Sequence, residues 1–131
     1  MNGILYVAMG GAIGASCRYS LGLGFGLVLA PSKANAFPWA TLSANVLGGL
    51  LMGFLMGWLA FKISGAENIR LFVGVGILGG FTTFSSFSLE TIRMIETKAY
   101  GMAMGYISAS VILSVLAVFI GLVIARKIFV L

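Results

Sequence analysis

Residues 79–90 read GGFTTFSSFSLE. The stretch before them, RLFVGVGIL (residues 70–78), is apolar enough to sit in a membrane. Then come two glycines, five hydroxyl side chains (Thr82, Thr83, Ser85, Ser86 and Ser88) and phenylalanines at 84 and 87, with no charge before Glu90. This is poor helix-forming sequence inside an oily segment. Gly costs about 1 kcal/mol against Ala in a helix, and Ser and Thr compete for the backbone's own groups. The expectation is a break near residues 79–83. At membrane depth, non-helical backbone persists only where protein buries it or water lines it. Carbonyls released there can bind a small cation, and nearby helix ends and hydroxyls can bind an anion.

The rest of the chain supports the membrane reading. Of 131 residues, 60% are hydrophobic and 8% charged, where a soluble domain carries roughly a quarter charged residues. A spanning helix needs about 20 apolar residues. Four runs qualify, at residues 4–30, 39–61, 70–94 and 99–125, closed by PSKANAFP, KISGAEN, ETK and RK. With short loops they use the whole chain as one transmembrane domain, residues 1–131. The first run has no basic flank and is too long for a cleavable signal. Histidine and aspartate are absent, which removes the usual metal ligands and most acid–base catalysts. No enzyme is expected. Cys17 is the single cysteine, so it forms no intrachain disulfide and reads as a small buried residue.

Lys and Arg in the loops normally set orientation. The side holding both termini carries Lys62, Arg70, Arg126 and Lys127; the other carries Lys33, Arg93 and Lys98, with Arg18 if it reaches that interface. The bias is nearly nil, and a chain without a bias can insert both ways. Four thin helices enclose little, so a transport protein of this size is expected to oligomerise, and two opposed copies would form an inverted repeat. Glycines recur every four residues at 10 and 14, at 49, 53 and 57, and at 101 and 105, a spacing that lets helices approach closely in lipid.

Polar residues gather toward one end. Arg18 lies roughly 21 Å along the first helix and Asn45 roughly 10 Å into the second, at 1.5 Å per residue. Glu90, Tyr106 and Ser110 fall toward the same side. Charged and amide groups in a membrane usually face a partner or a water-filled cavity. For Arg18 and Glu90 the alternative is snorkelling or a mutual salt bridge. For Asn45 it is a lone interhelical hydrogen bond, and for Ser110 and Ser114 it is bonding back to their own helix. Phe84 and Phe87 share a helix face. They either pack or turn their positive ring edges to a small anion.

These stretches resemble the Fluc-type fluoride channels, small four-helix bacterial membrane proteins. GGFTTFSSFSLE carries the most specific part of the resemblance. GASCRYSLG (residues 14–22), WATLSANVLGG (39–49) and YISAS (106–110) extend it over all four segments. The resemblance implies an all-α membrane protein with its third helix broken near the middle, working as an antiparallel, dual-topology homodimer in the bacterial cytoplasmic (inner) membrane. It implies passive fluoride efflux through two pores per dimer, lowering cytoplasmic fluoride. Carried over by position, Phe84 and Phe87 are the pore phenylalanines and Asn45 the pore amide. Ser110, Ser114 and Tyr106 belong to the polar track, with the hydroxyls of Thr83 and Ser86 beside it. Gly79 and Thr82 give backbone carbonyls to a structural sodium ion at the dimer centre, and Arg18 and Glu90 line the vestibule. The rival reading is a small multidrug-resistance-type proton-coupled efflux transporter. That class needs a carboxylate in its first segment, and residues 4–30 have none.

Overall fold

The computed structural model describes residues 2–29, 37–61 and 65–129. Lys33 and Lys62 lie outside the described residues. Within them the chain is helical: α1 is Asn2–Val28, α2 is Trp39–Leu59, α3 covers residues 66–81, α4 is Phe84–Glu96 and α5 is Tyr100–Phe129. Helix α3 is not uniform. Its stretch Arg70–Leu78 is wound as a wider π-helix before an α-turn at Gly79–Phe81. The stretches Trp39–Leu59, Ala66–Glu96 and Tyr100–Phe129 are long and apolar enough to cross a membrane. This is a membrane protein. Helix α1, with its many glycines and Arg18, falls outside that set.

Two close helix pairs make the body, and glycine sets both. Helix α1 lies on α3: a Cβ at Gly10 would meet the Phe72 carbonyl, one at Gly14 the Ile77 carbonyl, and one at Gly80 the Gly11 carbonyl at 2.7 Å. Helix α2 lies on α5: a Cβ at Gly53 would meet the Val118 carbonyl, and one at Gly121 the Leu50 carbonyl. With no Cβ in the way, backbones meet and dispersion contacts multiply, which is how helices associate in lipid. Gly101 and Gly105 differ: nothing within this chain comes within 4 Å of a Cβ built there.

Larger side chains join the pairs at two levels. Leu55 and Leu59 of α2 bury against Leu78 of α3, with Met52, Met56 and Val73 around them. Leu42 of α2, Met94 of α4, and Ala103 and Tyr106 of α5 form the other cluster, which Phe37, Val46 and Phe87 flank. The outer surface is apolar, with Ile4, Leu27, Val28, Phe84 and Val115 among the exposed side chains. Such a surface suits lipid or a partner, not water. Cys17 is on this outer face, which corrects its reading as a buried residue. It stands on a side of α1 that neither α2 nor α3 covers.

Thr82 and Thr83 separate α3 from α4. Both are extended, at φ −79°, ψ 156° and φ −153°, ψ 123°. The extended pair lies at the C-terminal edge of the expected 79–83 window, and Gly79 and Gly80 are helical. Gly80 serves the close approach of α1, and the two β-branched threonines take the extended backbone.

Candidate functional site

The polar residues around Thr82 and Thr83 sort into three groups. The first is the link itself. Thr82 keeps its N–H on the Leu78 carbonyl at 3.0 Å and adds its own Oγ1 to that carbonyl at 2.9 Å. Thr83 leaves the helical ladder, and Asn45 of α2 meets it. The Thr83 N–H donates to Asn45 Oδ1 at 2.8 Å, and Asn45 Nδ2 donates to the Thr83 carbonyl at 3.0 Å. Thr83 then starts α4, its Oγ1 accepting the Ser86 N–H at 3.2 Å and donating to Ser86 Oγ at 3.2 Å. A threonine at this position satisfies one of the free N–H groups that every helix start presents.

Arg18 of α1 reaches the same link from the opposite side, its Nε donating to the Gly80 carbonyl at 3.3 Å. A cation at the C-terminal end of a helix meets the negative end of the dipole and its unpaired carbonyls. Arg18 thus makes no ion pair with Glu90. The one ion pair among the described residues is Arg70 with Glu67, at 2.8 Å on the outside of α3.

The second group surrounds Glu90. Thr41 Oγ1 donates to Glu90 Oε1 at 2.7 Å and Tyr106 OH donates to Glu90 Oε2 at 2.7 Å. Each carboxylate oxygen therefore has one hydroxyl. Tyr106 is fully buried at 0% exposure and Thr41 is buried. Glu90 faces a cavity of about 600 Å³ that Phe37, Trp39, Arg93 and Thr97 also line. Thr41 was absent from the residues expected at the site. Its signal was its place four residues before Asn45, on the same face of α2.

The third group is an open groove of about 540 Å³ running along α2, α4 and α5. Asn45, Thr82, Thr83, Phe84, Phe87, Ser110 and Ser114 line it, and its remaining lining residues are glycine, valine and methionine. No charged side chain contributes. Phe84 and Phe87 stand together at 5.3 Å between ring centroids, and Phe87 reaches the Tyr106 ring at 5.2 Å. Phe84 is 78% exposed on the single chain. Ser110 Oγ and Ser114 Oγ are buried and have no hydrogen-bond partner. Back-bonding, the ordinary fate of a helical serine, is not what these two do. A buried hydroxyl left unpaired costs about 1–3 kcal/mol, and Ser110 lies close to the Tyr106 hydroxyl.

Of the expected residues, Asn45, Phe84, Phe87, Ser110, Ser114 and Thr83 meet in the groove. Tyr106 and Glu90 meet beside it, and Ser86 is bonded to the Thr83 cap at the start of α4. Arg18 is engaged at the link instead. For a metal, no group of three or more His, Cys, Asp or Glu side chains exists among the described residues, so backbone oxygen is the available donor. The Gly79 carbonyl suits the task. Its helical partner would be the Thr83 N–H, four residues on, and Asn45 holds that group. Extended backbone at Thr82 turns its carbonyl out of the helix as well.

The family described as CrcB-like protein, Camphor Resistance (CrcB), matches residues 5–122. A protein of Caulobacter sp. (strain K31), named Fluoride-specific ion channel FluC, is 53% identical over 131 residues, covering 98% of each chain. One of the same name from Caulobacter vibrioides (strain NA1000 / CB15N) is 51% identical over 130 residues, 98% of this chain and 99% of its own. A third, from Agrobacterium fabrum (strain C58 / ATCC 33970), is 43% identical over 129 residues, 98% of this chain and 100% of its own. A match of this extent places the chain in the CrcB-like protein family.

Proposed function

We propose that this protein is a fluoride channel and not an enzyme, passing fluoride down its gradient out of the cell. The observation that carries the reading is the groove: buried, unpartnered hydroxyls at Ser110 and Ser114 beside the rings of Phe84 and Phe87, with no charged wall. Hydroxyls donate, and ring edges are positive. Together they suit a small anion that accepts hydrogen bonds strongly. A fixed cation in the wall would bind such an ion too tightly for it to leave, and conduction needs binding that is easily reversed. The names of the relatives supply the ion: each is a fluoride-specific channel.

The working unit is an antiparallel, dual-topology homodimer with two pores in the bacterial inner membrane. Each copy crosses four times, the third crossing interrupted at Thr82 and Thr83. Support comes from the groove being open on the single chain, with Phe84 and Val115 exposed on its rim. A second copy would give it another wall. At the dimer centre the Gly79 and Thr82 carbonyls of both copies would hold a sodium ion. Support for this is the freed Gly79 carbonyl at a helix C-terminal end, where the dipole favours a cation. The test of function is the initial efflux of fluoride and of chloride from liposomes holding the purified protein. Fluoride should leave and chloride stay. Equal rates for the two ions would overturn the reading.

A further inference from the structure

An interrupted helix leaves backbone groups without partners, and here one side chain meets both groups of one residue. Thr83 pairs its N–H with Asn45 Oδ1 and its carbonyl with Asn45 Nδ2, at 2.8 and 3.0 Å. A carboxamide used this way replaces the neighbouring strand that an extended residue has in a sheet, where one residue exchanges both bonds with its opposite. Helix α2 can come this close because of Gly48, where a Cβ would meet the Thr82 methyl. The pairing has two consequences. Thr83 is the N-cap of α4 and Phe84 its first helical residue, so fixing Thr83 fixes where α4 starts and where the Phe84 ring stands. The Thr83 N–H is also the group that would occupy the Gly79 carbonyl in an unbroken α-helix. Held by Asn45, it leaves that carbonyl free. The acceptor of the carboxamide and one of its two N–H donors are thereby engaged.

We infer that Asn45 is a positioning residue of the ion path: it holds both backbone groups of Thr83, thereby sets the Phe84 ring and the freed Gly79 carbonyl, and contributes to conduction through that geometry. This rests on the fluoride-conducting reading, and the test separates the two. Initial fluoride efflux from liposomes is measured for the wild-type dimer, for Asn45→Leu, and for a protein whose residue 83 is introduced as the α-hydroxy acid counterpart of threonine. The last change turns the Thr83 N–H into an ester oxygen and leaves the Asn45 side chain whole. Each variant should lose flux on the order of tenfold to a hundredfold, the effect of a small misplacement in a preorganised site. The two changes combined should do no more than the larger one alone. An ester protein that conducts at the wild-type rate, beside an inactive Asn45→Leu, would overturn the inference. A second readout needs no flux. The infrared band of an isotope-labelled Thr83 carbonyl should move to higher frequency in Asn45→Leu, as a lost hydrogen bond requires; an unmoved band also overturns it. If Asn45→Leu does not form a dimer, the ester protein alone supplies the flux comparison, and its conduction at the wild-type rate overturns the inference. A wild-type protein that carries no fluoride sinks the channel reading, while the infrared shift still decides the pairing.

Discussion

Tyr106 shows what a single side chain settles in this fold. Its ring is fully buried beside Phe37 and Phe87, and its hydroxyl ends on Glu90. Tyr106→Phe keeps the ring and takes the donor from a half-buried carboxylate oxygen. Leaving such an acceptor unmet costs about 1–3 kcal/mol, so the variant should melt earlier than wild type in the same detergent. An unchanged melting temperature would mean that water replaces the hydroxyl. Phe84 and Phe87 separate packing from conduction. Phe84 is largely exposed on the single chain, whereas Phe87 touches the Tyr106 ring. A nearly volume-conserving change to Ile costs less than about 1.5 kcal/mol, least for Phe84. If the ring edges carry the ion, Phe84→Ile and Phe87→Ile should both keep the wild-type size-exclusion profile with fluoride efflux greatly reduced. Wild-type efflux in both would return the two rings to packing.

At the scale of elements, the glycine rows fall into two kinds. A side chain at Gly53 must displace backbone, the Val118 carbonyl, and nothing flexible can yield. Gly53→Val should therefore separate α2 from α5 and give no stable protein. Gly101→Ala should be tolerated, and helix propensity alone favours it by up to about 1 kcal/mol. The turn between α4 and α5 gives a further prediction. The Ala99 N–H bonds the Met94 carbonyl at 2.8 Å and the Lys98 N–H bonds the Ile95 carbonyl at 2.9 Å. This is a Schellman closure with Lys98 at φ 60° where glycine is usual. Left-handed backbone costs a side-chain-bearing residue about 1–2 kcal/mol, so Lys98→Gly should raise the unfolding midpoint in denaturant, and a lowered midpoint would refute the assignment. Helices were legible because hydrophobic runs bounded by Pro, Gly and charge are a strong signal. Residues 39–61 became Trp39–Leu59 and residues 99–125 became Tyr100–Phe129. The start at Ala66 was less legible: the Glu67–Arg70 pair sits one turn apart on a helix face, and read linearly those charges mark a loop. The hydroxyl and aromatic lining could be read from type and spacing. That Asn45 would meet Thr83 could not, because 38 residues separate them and only the packing of α2 on α3 brings them together.

The whole molecule raises the question of which way it lies in the membrane. Positive charge near the ends of spans sets orientation, and only residues near those ends count. On the proposed four-crossing topology the sequence assigns Lys62, Arg70, Arg126 and Lys127 to the side of the termini and Lys33, Arg93 and Lys98 to the other. Arg18 no longer belongs with the second set, because its guanidinium is bonded to the Gly80 carbonyl at the link. Four against three is still close to balance. A balanced chain should insert in both directions, and an antiparallel pair needs both. The prediction is that three lysines added to the loop after Phe61 will drive that loop to the cytoplasm and abolish fluoride resistance in cells carrying only this form. Three lysines added beside Lys33 instead should fix the other orientation and be equally inactive alone. Co-expressed, the two forms supply one copy of each orientation, and resistance should return. Accessibility of single cysteines placed in those loops, in a Cys17→Ala background, reads orientation directly. Unmodified protein labelled from one side only, or a lysine-tagged form that works alone, would show that one orientation suffices and that the pair is not antiparallel.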